Sequence, residues 1–170
     1  ITNYPAGKTE TVTVENNPVD PAAGTREEDI HRSDIDALGS RVLEATVFEL
    51  VDSVVARQHS KALMILRDLF DLKQEPVMIL AVLTKQMQRL YGAKLAISAG
   101  KSETEVAKLL GYASSYPARR LIQSARRCGL AELRQAQLAC LETDLALKSS
   151  LPDGQRTLEL LLLQLAEGAQ

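Results

Sequence analysis

The chain has 170 residues, 45% of them apolar and only 4% aromatic, with no Trp; this suits one ordinary domain, or a small domain with an appendage, with a core of mainly Leu, Val, Ile and Ala packed helix on helix. A formal net charge of −2 argues against a whole-domain grip on nucleic acid and leaves room for a local basic patch alone. Two distant cysteines, Cys128 and Cys140, make neither a disulfide scaffold nor a zinc site and read as reduced thiols of a cytoplasmic protein, and no apolar run reaches the ~20 residues of a membrane span.

Before residue 33, Pro5, Gly7, Pro18, Pro21 and Gly24 stand among Thr, Asn, Asp and Glu, the chemistry of a loop or linker. Thr11-Val12-Thr13-Val14 alternates at period two but is too short to stand as a sheet alone. Residues 16–32 offer too few apolar groups to offset the entropy of ordering and are expected to be extended or disordered. The start at Ile1, without Met or a signal-peptide core, reads as a piece of a longer protein.

From Ser33 onward every segment reads as helix. Ser33 with Asp36, and Thr46 with Glu49, have the spacing of capping boxes, opening a short helix through Ile35 and Leu38 and a second through Val47, Leu50, Val51, Val54 and Val55. Ser60 is placed to cap the next, where Ala62, Leu63, Ile65, Leu66, Leu69 and Phe70 recur at three- and four-residue steps. Pro76 fits the first position of a long helix running to about Ser98, with Gly100 as terminator. Between Val77 and Leu83 that helix is apolar on all sides, which predicts burial on all sides and a central position. Ser102 and Glu105 form a third capping box, and Gly111 ends that short helix. Ser115 and Pro117 begin another, ended by Gly129. A further helix spans Leu130 to about Lys148 with Leu133, Leu138, Leu141 and Leu145, and after Pro152-Asp153-Gly154 a last helix carries two apolar faces. Leu158, Leu161, Leu162 and Leu165 form one face. Leu160 and Leu163 point nearly opposite, toward the same domain or a partner subunit.

Little in the chain resembles a reaction centre. There is no phosphate loop of the Gly-x-x-x-x-Gly-Lys-[Ser/Thr] type, and His31 and His59 stand in separate polar turns without ligand partners. The acids Glu49, Asp52, Asp68, Asp71 and Glu75 are scattered at polar helix positions, and Asp144 with Lys148 reads as a structural i,i+4 pair. No catalytic, cofactor-binding or metal-binding residues are assigned, and no cofactor is expected. The one chemical alternative lies in 103–125. There Glu105 to Gly111, a turn, and Arg119-Arg120-Leu121-Ile122 have the layout of a helix-turn-helix DNA reader. Arg119, Arg120, Arg126 and Arg127 form either its phosphate-facing side or a solvated basic face.

Four pieces, in order and spacing, resemble the delta subunit of the bacterial DNA polymerase III clamp loader. They are Asp34-Ile35-Asp36-Ala37-Leu38 with Val47-Phe48-Glu49-Leu50-Val51-Asp52; Lys61-Ala62-Leu63 with Leu66 through Glu75-Pro76; Ala107-Lys108-Leu109-Leu110-Gly111 with Ala125-Arg126-Arg127; and Glu142-Thr143-Asp144-Leu145-Ala146-Leu147-Lys148 with Leu158-Glu159-Leu160-Leu161-Leu162-Leu163. The resemblance implies an all-α, collar-like bundle of about seven helices. Residues 1–44 would be the end of a lid-like middle domain, interrupted by an insertion at 16–32, and residues 45–170 a helical oligomerisation domain. It further implies a non-catalytic subunit of a DNA polymerase holoenzyme whose collar joins the ATPase subunits of a pentameric loader. Contact with the sliding clamp would be made upstream of this chain, contact with DNA would be indirect, and no membrane would be involved.

Overall fold

A computed structural model describes residues 21–112, 115–149 and 153–167. Thr11–Val14, like residues 16–20, lie outside these. Seven helices follow in chain order: α1 (Pro21–Val55), α2 (His59–Asp71), α3 (Pro76–Ser98), α4 (Glu103–Leu109), α5 (Ser115–Arg127), α6 (Leu130–Lys148) and α7 (Gly154–Glu167). The fold class is all-α, with no strand among the described residues. The chain divides into two units, 1–37 and 38–170. In the first, the described residues are the helical stretch from Pro21. The second is a helical bundle with one continuous core.

The largest departure from the sequence reading is α1. Residues 21–32, expected to be extended or disordered, are helical, and the expected short helix from Ser33 is part of the same element. Ala22-Ala23 and Arg26-Glu27-Glu28 are good helix formers, and Pro21 needs no hydrogen-bonded N–H at a helix start. The capping box at Thr46 and Glu49 does not form. The Thr46 hydroxyl instead donates to the carbonyl of Val42 at 2.9 Å, one turn back, so the helix runs through. Continuity keeps Leu43 in phase with Val47, Leu50, Val51 and Val54, all buried. Ser60 is not a cap either. Gln58 occupies the N-cap of α2 and makes no side-chain capping bond.

α3 organises the bundle, with α4, α5, α6 and α7 packing against it. Ile79, Leu80, Leu83, Gln86, Met87, Leu90 and Ala93 are its buried residues, a wide stripe at helical spacing. The expectation that its first two turns are buried on all sides is corrected: Val77, Met78 and Ala81 are exposed. Likewise only Leu133 of the four leucines expected on α6 is buried. Its core face is built from Leu133, Ala136, Ala139, Cys140 and Thr143, small residues that let α6 approach closely. Leu138, Leu141 and Leu145 face solvent.

Local chemistry sets the corners. The capping box of α4 is present: Glu105 N–H donates to Ser102 Oγ at 3.3 Å, and Ser102 N–H to Glu105 Oε2 at 2.9 Å. These bonds to Ser102, helped by Lys101, hold the Glu105 carboxyl below the ordinary carboxylate range. α3 and α4 end at Gly100 and Gly111, with φ of 74° and 72°. α1 and α2 close with the same pattern of backbone bonds but put Arg57 and Lys73 in the left-handed position, at φ 61° and 60°. The turn before α7 needs glycine for space: a Cβ on Gly154 would lie 2.6 Å from Cγ of Pro76. Among the described residues no helix is long and apolar enough to cross a membrane.

Both thiols are buried. Cys128 Sγ donates to the carbonyl of Ser124, one turn back. Burial, reinforced by the Glu132 charge, pushes the Cys128 thiol up to about 11, and burial raises Cys140 as well.

Two expectations arise from this packing. Leu80→Ala should cost about 2–5 kcal/mol and Gly154→Ala about 1–3 kcal/mol, read as lowered denaturation midpoints. An unchanged midpoint in the first would remove α3 from the centre of the core. For the thiols, the folded pKa lies above the unfolded value, so their contribution to stability is full below about pH 9 and is lost as pH rises toward about 11. Urea midpoints should therefore fall through that window, less steeply in Cys128→Ala. An identical fall in wild type and variant would assign the loss to other groups.

Candidate functional site

α7 packs on α2, α3 and α6. Leu158, Leu161, Leu162 and Leu165 enter the core, whereas Leu160 is 58% and Leu163 44% exposed. Burying a leucine side chain is worth ~1.5–3 kcal/mol, so two adjacent leucines in water mark a face that the bundle itself does not use.

The four arginines singled out in the sequence lie on the outer side of α5, whose inner side buries Ala118, Leu121, Ile122 and Ala125 against the core. They are not equivalent. Arg120 Nη2 donates to Asp52 Oδ2 at 2.6 Å, while Ser124 Oγ donates to the other carboxylate oxygen at 2.7 Å. The Arg120 guanidinium carbon also lies 4.9 Å from the ring centre of Phe48. Arg126 Nη2 donates to Glu103 Oε1 at 2.9 Å, tying α5 to the start of α4. Two of the four arginines are therefore engaged in holding helices together. Arg119 and Arg127 make no ion pair among the described residues. Arg127 borders a polar furrow of about 290 Å³ with Lys61, Glu49 and Asp52, and Lys61 is itself paired with Glu49 at 2.9 Å.

A second feature had no counterpart in the sequence reading. Of two Phe and four Tyr in the chain, Phe48, Tyr112 and Tyr116 line one open cleft of about 330 Å³ together with Arg41, Arg89, Arg120 and Pro117. The Arg89 guanidinium carbon stands 5.6 Å from the centre of the Tyr112 ring, and burial raises the Tyr112 phenol above its ordinary pKa. Glu44 on the rim is paired with Lys85 at 3.0 Å. Gln86, only 3% exposed, contributes a buried Oε1 that accepts no hydrogen bond, and such an atom is costly to leave unpaired. The cleft thus combines aromatic faces and cations, with the unmatched Gln86 acceptor buried beneath them. It gathers residues from α1, α3, the α4–α5 turn and α5. The sequence signal was faint: a chain poor in aromatics that places Tyr112 and Tyr116 four apart, close to an arginine-rich helix.

Comparisons with known proteins agree on one family. The model for the DNA polymerase III delta subunit, C-terminal domain, matches residues 44–165. The DNA polymerase III subunit delta of Bacillus subtilis (strain 168) is 33% identical over 144 residues, which cover 84% of this chain and 40% of that relative. The solved structure of the Bacillus subtilis DNA clamp loader delta protein superposes with a TM-score of 0.67 at 29% identity, covering 74% of this chain and 37% of that one. The chain spans about two fifths of the length of the relatives it matches.

Proposed function

The chain belongs to the DNA polymerase III delta subunit family, whose C-terminal domain it carries, and from that premise we propose that it is a non-catalytic assembly domain of a clamp loader. In this reading residues 45–170 are the helical collar that joins the loader's ATPase subunits into a pentamer, and residues 1–44 end the preceding lid-like domain. The sliding clamp would be met by the part of the protein upstream. The loader works in the cytoplasm, placing the clamp on DNA during replication.

The observation that carries this reading is the two-faced α7. Its inner leucines complete the core, and Leu160 and Leu163 remain in water. Such a surface suits a permanent neighbour better than a transient ligand, since obligate interfaces resemble a core cut in half. Replacing both residues with Glu adds charge only where the isolated fold tolerates it, and desolvates that charge only on assembly. The double variant Leu160→Glu, Leu163→Glu should keep the wild-type melting temperature and fail to form the complex with the other loader subunits in size-exclusion chromatography. A folded variant that assembles normally would remove these leucines from the interface.

The arginine–aromatic cleft favours a second role, contact with a single-stranded nucleic acid. Bases stack on aromatic rings, and arginines track phosphates. This narrows the helix-turn-helix alternative: α5 would contribute the edge of a stacking cleft and would not be a major-groove reader, since Arg120 and Arg126 already serve Asp52 and Glu103. Titrating a fluorescent oligothymidine at low salt should give a Kd that Tyr116→Ala raises about fivefold or more, matching ~1–3 kcal/mol per stacked base. Equal affinity in wild type and variant would sink this role while leaving the assembly reading untouched.

A further inference from the structure

α3 and α6 pack together, and a furrow of about 540 Å³ lies between them, bordered by Ala81, Lys85 and Gln88 on one side and Arg134, Gln137, Leu141 and Asp144 on the other. The crest of α6 beside it carries Leu138, Leu141 and Leu145, exposed by 46%, 56% and 63%. Their spacing of three and four residues puts them on one helix face. α3 adds Ala81 from the furrow and, one turn earlier, the exposed Met78. This apolar strip is distinct from Leu160 and Leu163 on α7.

The polar groups of the furrow are unevenly matched. Its acid, Asp144, is held by Lys148 at 2.5 Å, and its lysine, Lys85, by Glu44 at 3.0 Å. Arg134 makes no ion pair among the described residues. Gln137 has a buried Nε2 that donates to nothing. The accessible unmatched group is therefore a cation, Arg134, which calls for a negative oxygen, while the Gln137 amide lies beneath the surface. Arg134 stands seven residues from Leu141, about 10.5 Å along the helix axis at 1.5 Å per residue.

We infer that the furrow takes an amphipathic helix of a neighbouring loader subunit, one with leucine-like side chains at helical spacing and a carboxylate about two turns farther on, opposite Arg134. The partner helix lays its apolar face along Leu138, Leu141 and Leu145 in the manner of a helix in a groove. Its acid supplies the acceptor that this chain lacks and fixes the register of docking. The inference rests on the assembly reading and gives the domain a second assembly face.

The test uses the protein reconstituted with the other clamp-loader subunits, comparing Leu141→Glu with Leu145→Glu, Arg134→Glu alone, and Leu160→Glu with Leu163→Glu. Melting temperatures check folding, and Arg134→Glu, at an exposed position, carries the test if the α6 leucine variant melts early. Both furrow variants are expected to weaken assembly at least tenfold in sedimentation velocity, and Arg134→Glu to flatten its salt dependence. Normal assembly by both furrow variants, with loss in the α7 variant, overturns the furrow and keeps the assembly reading. Normal assembly by all three overturns both. Loss in the leucine variant with Arg134→Glu unchanged overturns the acidic occupant.

Discussion

The buried stripe of α3 is the constraint from which the remaining structure follows. Ile79, Leu80, Leu83, Met87, Leu90 and Ala93 give four other helices of the bundle a common surface. Each of those helices answers with its own apolar side: Val106 on α4, Leu121 and Ile122 on α5, Ala136 and Cys140 on α6, Leu158 and Leu161 on α7. With almost no aromatic bulk in the core, close approach does the work of large side chains. Gly154 against Pro76 and the alanines of α6 are two forms of the same economy of space.

A stripe on one side of a helix leaves the other side to be explained. Val77, Met78 and Ala81 lie on the uncovered side of α3, and α6 and α7 each turn leucines outward. Scattered exposed leucines are ordinary on any protein, but these recur at helical spacing on helices whose inner faces are already complete. The charged groups behave in the opposite way. Arg120, Arg126, Lys61 and Lys85 are tied to acids on other helices, so much of the apparent basic face of the chain is consumed in holding the bundle. Several surface charges are paired within the bundle while these leucines stay outward, and this supports the proposed role as a subunit of an assembly.

What could be read from the sequence was local. Pro76, Gly100, Gly111 and the Ser102–Glu105 box each act within one helical turn, so their neighbours in sequence were enough. The two faces of α7 were legible for the same reason, since a period of 3.6 needs no knowledge of the neighbours. Thr46 misled because a hydroxyl suits a cap and a back-bond to the preceding turn equally well. The choice was made by the core, which requires Leu43 and Val47 on one uninterrupted helix. The apolar start of α3 and the leucines of α6 were read as buried because hydrophobicity does not say whether the covering surface belongs to the same chain. The arginine–aromatic cleft was out of reach. Phe48, Arg89 and Tyr112 meet only after α1, α3 and the α4–α5 turn have packed.

The central claim is that the outward leucines of this domain are covered by neighbouring subunits. Hydroxyl-radical footprinting of the protein, free and within the reconstituted loader, reads side-chain exposure residue by residue without any substitution. Oxidation of Leu160 and Leu163 should fall sharply on assembly, while the exposed Met64 of α2 keeps its free rate as an internal reference. Unchanged oxidation of both leucines in a fully assembled loader would contradict the account.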